Sequence, residues 1–362
     1  MRTKVISGTT VEYPDLIGFA FLPCVVNIRG VAWSNVEAIV TCRRNGDSHS
    51  EEREMFGDAC FFDLSHYIQG AFDDVEFGVL GYGSVEDTKL GALFDVELIF
   101  YQGSSVMDSM VFQTFFVWGA MQVGERYNGE RNVTWFKNFP FTVGMYSGAE
   151  GSVKLYMDYS LVAERTLSTQ GVWNVSLNGY SANDNAIIVL NGADDVPATF
   201  DNTFDYTFKA IAGGGSKVVC KVDDSDRGIY LRWVNRHGFY CYWLFTEGDE
   251  SRKVANDGEF LRNNMLGYNF KNGYNGGTGR NQRKIGENLL PVCAPSVDSE
   301  TFDFLFELAL SPVVDMYMGK DDNGTPAWMR VNISVGTFTK SRKVLQDFIC
   351  TIVLPETRVQ SL

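Results

Sequence analysis

A mainly β protein of two or three sandwich or barrel modules is what this sequence predicts, with a short helix near residues 61–72 and another near 299–311. Three observations lead there. Aromatic residues make up 14% of the chain, including 27 Phe and 16 Tyr, and such side chains favour the pleated surface of a sheet. Apolar and polar residues alternate with period two through stretches such as VKLYMDYSLVAERTL and IYLRWV, the spacing of a strand with one face on a core. Asn-Gly pairs at 45–46, 178–179, 191–192 and 323–324 punctuate these stretches as turn signals. A length of 362 residues with 45% hydrophobic content is enough for more than one core.

Taken in order, residues 16–42 read as a strand pair, LIGFAFLPCVVNIRG followed by VEAIVTC, and FFDLSHYIQGAF at 61–72 reads as the short helix, with Asp63 or Ser65 as cap. ALFDVELIFYQG and MVFQTFFVWG are further apolar strands, and residues 125–150 form a turn-rich connection. Residues 1–150 are thus expected to be an N-terminal β domain with a connecting segment. Residues 151–212 carry the strands VKLYMDYSLVAERTL, GVWNVSLNGY, AIIVLNG and FDYTFKAI, a small β module that can be an insertion. Ala212-Gly213-Gly214-Gly215-Ser216 is the linker candidate.

Residues 213–362 are expected to be a C-terminal β-rich domain with one helix. Its strands are KVVCKVDD, IYLRWV, FYCYWLF, VVDMYMG, WMRVNISVGTFT and FICTIVLPE. GYNFKNGYNGGTGRNQRKIGENLL, 267–290, reads as a Gly- and Asn-rich loop. SETFDFLFELALS reads as the helix, with apolar residues at Phe302, Leu305, Phe306, Leu308 and Leu310 and a cap from Asp298 or Ser299.

Charge and cysteines narrow the function. The formal net charge is −14, which repels a duplex and argues against direct nucleic-acid binding. MRTKVISGTTVEYPD lacks the apolar centre of a signal peptide, and the most apolar window, residues 110–121, is shorter than the roughly 20 residues a membrane helix needs. Neither export nor membrane insertion is expected, and the sequons at Asn132, Asn174 and Asn332 are discounted. Seven cysteines without a CxxC pair read as buried free thiols made in a reducing compartment.

No reactive constellation emerges. The three histidines, His49, His66 and His237, fall in no HxH or HExxH pattern; His49 reads as an exposed turn residue and His66 as a packing or surface residue. GxSxG and GxxxxGK[ST] are absent from the sequence. Asp194 and Asp195, Asp223, Asp224 and Asp226, and Asp321 and Asp322 lack EF-hand spacing and read as turn residues. No enzyme activity and no cofactor or metal is expected.

The stretch RGIYLRWVNRHGFYCYWLF, 227–245, combines Arg227, Arg232, Arg236 and His237 with aromatics. Its alternation reads as a central hairpin covered on both faces, with Gly238 in the turn, His237 at the tip and Arg232 stacked on a cross-strand Tyr.

Three blocks carry a resemblance: RGIYLRWVNRHGFYCYWLF, SETFDFLFELALSPVVDMYM, and WMRVNISVGTFTKSRKVLQDFICTIVLPETRVQSL, joined by WGAMQVGERYNG, FKNFPFTV and FAFLPCVVNI. They resemble uncharacterised tail- or baseplate-type virion proteins of phages and prophages of Bacteroides-like gut bacteria, over most of the chain and most strongly from residue 213. The resemblance implies a structural protein of the virion tail, assembled in the host cytoplasm, and brings no catalytic residues. Its expected partners are copies of itself in a cyclic homo-oligomer and other tail proteins. The expected assembly contacts are Tyr274, Gly276, Gly277, Arg280 and Arg283, along with the C-terminal VQSL. The alternative is a carbohydrate-binding or adhesin module at the tail tip, with Trp135, Trp173 and Tyr180 as glycan contacts; a glycoside hydrolase is the remaining reading.

Overall fold

The computed structural model describes residues 1–31, 33–73, 85–120, 132–147, 151–168, 170–190, 216–236, 238–262, 268–271, 273–274 and 279–355. The chain is mainly β, and it divides into two units. The first comprises Met1–Asp226 with Val234–Cys241, the second Arg227–Trp233 with Tyr242–Leu362.

The first unit begins as a sandwich. One sheet has the order β1 (Arg2–Ile6), β2 (Thr9–Tyr13), β4 (Val25–Arg29), β7 (Ala59–Asp63). The other has the order β3 (Ile17–Phe19), β10 (Ser105–Val117), β9 (Gly91–Gln102), β5 (Asn35–Cys42), β6 (Ser48–Glu54). Strict alternation builds the core between them. Every second residue of β5 and β9 is buried, so Val36, Ala38, Val40, Phe94, Leu98 and Phe100 meet Val11, Val26, Ile28 and Phe62 of the facing sheet. Each such Val, Leu, Ile or Phe side chain contributes about 1.5–3 kcal/mol when fully buried.

Residues 16–42 are therefore not one strand pair. They form three strands, and these divide between the two sheets, β3 and β5 in one and β4 in the other. The expected helix at 61–72 is also shorter than its sequence suggested. Phe61 and Phe62 belong to β7, where Phe62 enters the core, and α1 covers only Ser65–Gly70. The Asp63 carboxylate accepts the Ser65 N–H at 3.1 Å and is held below the usual carboxylate range chiefly by the Ser65 hydroxyl.

Two further sheets complete this unit. One has the order β11 (Asn132–Phe136), β17 (Ser216–Asp223), β16 (Asn185–Leu190), β13 (Gly151–Met157), β14 (Ser160–Leu167). The other has the order β12 (Thr142–Ser147), β15 (Gly171–Ser176), β8 (Val85–Thr88). β12 pairs with β15, and β16 with β17, so hydrogen bonding runs across residues 150/151 and 212/213. The run VKLYMDYSLVAERTL is a hairpin, not one strand: Asp158 and Tyr159 both take positive φ, 45° and 67°, the geometry of a tight primed turn. The Asp158 carboxylate accepts the backbone N–H groups of Asn183, Asp184 and Asn185 and fixes that turn to the start of β16.

The second unit is built around a ring of strands. Its sheet has the order β19 (Tyr240–Glu247), β18 (Ile229–Val234), β24 (Val314–Lys320), β25 (Pro326–Ile333), β26 (Gln346–Val353), β23 (Gly279–Val297), β20 (Ser251–Arg262). A further pairing, Thr246 with Cys293 and Glu247 with Val292, joins β19 back to β23 and closes six of the seven strands. The two-residue strands β21 (Tyr268–Asn269) and β22 (Gly273–Tyr274) pair with each other. Helix α2 (Ser299–Leu310) is where its periodicity predicts. The Asp298 carboxylate caps it, accepting the Thr301 N–H at 2.8 Å, and Phe302, Leu305 and Leu308 are buried. Phe302 meets Phe348 edge-on at 5.3 Å, and Phe304 packs on Trp233. Among the described residues no helix is long and apolar enough to cross a membrane.

Candidate assembly surface

β23 is 19 residues long, and its two halves have different company. Leu289–Val297 pairs with β26. From Gly279 to Asn288 the hydrogen-bonded partner is β20, through a register running from Arg252 opposite Asn288 to Arg262 opposite Gly279. β20 has β23 as its one neighbour in the sheet order. The result is a two-stranded arm of roughly ten residue pairs, about 33 Å long at the usual rise per residue. The register shifts between Asp257 and Phe260. Gly258 sits in that bulge at φ +77°, a left-handed conformation that favours glycine.

The arm is exposed along both strands: Ser251–Asn256 and Gly258–Phe260 face solvent, as do Gln282, Arg283 and Lys284. Val254 is 67% exposed, Phe260 51% and Phe270 97%. The expected loop at 267–290 is therefore mostly strand from Gly279 onward. Its polar composition hides this, because residues 281–288 are exposed or half-buried and none of them enters a core. Of the expected assembly residues, Arg280 and Arg283 lie on β23 and Tyr274 on β22. Gly276, Gly277 and the C-terminal VQSL lie outside the described residues.

The aromatic hairpin that drew attention in the sequence is structural. β18 is buried throughout after its first residue. Arg232 is 1% exposed; its Nε donates to Asp315 Oδ2 at 3.0 Å, and Arg330 Nε donates to Oδ1 of the same carboxylate at 2.5 Å. The cross-strand register Arg232–Asp315–Arg330 puts the three groups in one row. The Arg232 guanidinium lies 4.2 Å from the centre of the Trp328 ring, so a tryptophan two strands away stacks on it. His237 lies outside the described residues. Gly238, at φ +83°, has the Trp118 carbonyl oxygen 2.0 Å from where a Cβ would stand.

The expected glycan contacts do not form a binding face. Trp135, on β11, is 1% exposed and Trp173, on β15, is 8% exposed; rings so covered offer no plane to a sugar. Tyr180 is partly exposed beside the Asn178-Gly179 turn, where the Asn178 side chain accepts the Phe141 N–H. The aspartates also serve turns: Asp321 accepts the N–H groups of Asn323 and Thr325, and Asp223 that of Ser225. Asp194 and Asp195 lie outside the described residues.

Two concave features escaped the sequence. Val40, Cys42, Ala71 and Phe94 floor a cavity of about 230 Å³ whose rim carries Asp47, His49, His66 and Tyr67. The two imidazoles flank Tyr67, His49 stacked at 5.1 Å and His66 tilted at 3.9 Å between ring centres. The pairing of β6 against β5 brings His49 to α1, a meeting that no local spacing signals. Among the described residues no three His, Cys, Asp or Glu side chains converge as metal ligands. The second feature is an acidic groove of about 470 Å³ lined by Ser34, Asn35, Glu52 and Glu54, where the start of β5 pairs with the end of β6. Asn35 Nδ2 donates to Glu52 Oε1, while Asn35 Oδ1 is buried with no hydrogen-bond partner.

No family model matches the chain, and no curated protein matches it. Among solved structures, one described as giving insight into host cell surface retention of a 1.5-MDa bacterial ice-binding adhesin aligns with 86% of this chain and 89% of its own, at 12% identity. Its TM-score is 0.17, and at that level the likeness carries no argument.

All seven cysteines are free thiols. Burial pushes Cys24 and Cys350 up to about 12 and Cys60 to about 11, and raises Cys220 as well. Thiols held this far from the thiolate are poor nucleophiles.

Proposed function

We propose that this chain is a structural, non-enzymatic subunit of a phage virion, of the tail or baseplate, which assembles into a cyclic homo-oligomer and meets other tail proteins. The observation that supports the reading best is the β20–β23 arm. A lone two-stranded ribbon is marginally stable in water, and its open edges are templates for another chain. β20 carries charges and a bulge of the kind that blunt an edge, yet the arm keeps Val254 and Phe260 exposed. An arm of this kind gains its stability when a neighbour covers it. The sequence resemblance supports placing the subunit in the tail, and the free thiols fit assembly in a reducing host cytoplasm.

Negative-stain microscopy and light-scattering mass of the purified chain test this. The expected result is closed rings of one stoichiometry, growing in proportion with concentration. A strict monomer at every concentration reached would contradict it.

A further inference from the structure

We infer that the arm of one molecule seats its Arg252–Val254–Lys284 face against the Glu52–Glu54 groove of a second copy, adding β20 to the open edge of β6. This rests on the reading of the chain as a self-assembling subunit and names the surfaces that would meet.

Charge is the first argument. The paired segments of the arm, 251–262 and 279–290, hold six Lys or Arg and three Asp or Glu, while the whole chain holds 31 against 45. The arm is a basic projection from an acidic protein, so the same chain provides an oppositely charged surface for it. The register then selects one face. Lys253 lies opposite Glu287 and is paired with it at 3.1 Å. On the other face Arg252, Val254 and Lys284 are exposed, and the residues between them, Asn256, Gly286 and Asn288, carry no charge. Among the described residues neither Arg252 nor Lys284 is engaged in an ion pair on that face.

The receiving surface has the complementary set. β6, SHSEERE, is the last strand of its sheet. Glu51 is engaged by Arg53 at 2.6 Å. Glu52 and Glu54 line the groove, beside the buried Asn35 Oδ1 that lacks a donor. β20 and β6 are both sheet-edge strands, so their backbone groups can form the ladder of a β-augmentation while the groove takes the basic side chains. An arm-to-groove contact uses different patches on the two molecules. Repeated, it closes into a ring when the rotation allows.

Sedimentation velocity on charge-reversed variants decides the matter, with circular dichroism confirming that each is folded. The variants Arg252→Glu with Lys284→Glu, and Glu52→Lys with Glu54→Lys, are each expected to weaken self-association at least tenfold. Carrying all four reversals in one chain should restore it. As a second readout, Arg252→Cys mixed with Glu54→Cys should yield an intermolecular disulfide that neither variant gives alone. If the wild type assembles but neither reversal weakens it, or only the arm reversal does, this contact is wrong and the assembling subunit stands. If the wild type never assembles, both readings fall together.

Discussion

One strand, β23, belongs to two different environments. From Leu289 to Val297 its neighbours are β26 and, through Val292 and Cys293, β19, and Leu290, Val292, Ala294 and Val297 are buried. From Gly279 to Asn288 the same strand pairs with β20, and none of residues 281–288 is buried. The ring of strands to which Leu289–Val297 belongs forms a wall stabilised by apolar area removed from water. The arm has hydrogen bonds that compete with solvent and are worth little on their own. A strand that leaves its sheet yet continues its ladder for ten pairs marks where the chain stops serving its own core.

The contrast can be broken by mutation, and the largest effects belong to the wall. Asp315→Ala leaves the buried Arg232 guanidinium and that of Arg330 without their shared carboxylate; removing one member of a buried ion pair costs about 3–5 kcal/mol, read as a lower urea midpoint. Phe348→Ala empties a site at 0% exposure among Phe245, Phe302 and Phe338, and should also cost about 3–5 kcal/mol.

A smaller effect is expected at α2. Asp298→Ala removes the cap and should cost about 1 kcal/mol. The backbone hydrogen bond from Thr301 holds the Asp298 carboxyl below its ordinary value. A depressed folded-state value means that the cap stabilises fully above the unfolded carboxylate range, about pH 3.9, and is lost as pH falls through the folded value. Melting temperatures of wild type and Asp298→Ala should therefore differ at pH 7 and converge on acidification. The smallest effects belong to the arm. Val254→Ser and Phe260→Ser should each move monomer stability by no more than about 0.5 kcal/mol; a loss as large as that of Phe348→Ala would mean the arm is part of a core after all.

Legibility in the sequence followed the same division. β5, β9 and α2 were readable because one face of each is buried, and burial prints a period of two or 3.6 on the residues. SRKVANDGEFLR and GRNQRKIGENLL carry no such print, so β20 went unmarked and the first half of β23 read as a loop. Of the GYNGGTG stretch, Gly273 and Tyr274 form β22 and Gly279 begins β23. The register that aligns Arg232, Asp315 and Arg330, and the fold that brings His49 to Tyr67, are long-range facts that no window of the sequence contains. Trp135 and Trp173 misled because they sit near turn residues, while their own side chains are buried.

The claim that the arm exists for assembly is tested most directly by removing it. Ser251 and Leu289 are paired, so Asn-Gly can replace residues 252–288 as a two-residue turn and leave the ring of strands intact. The account predicts a chain that melts within a few degrees of the full-length monomer and sediments as a monomer at concentrations where the full-length protein is assembled. Assembly that survives the excision unchanged would contradict it.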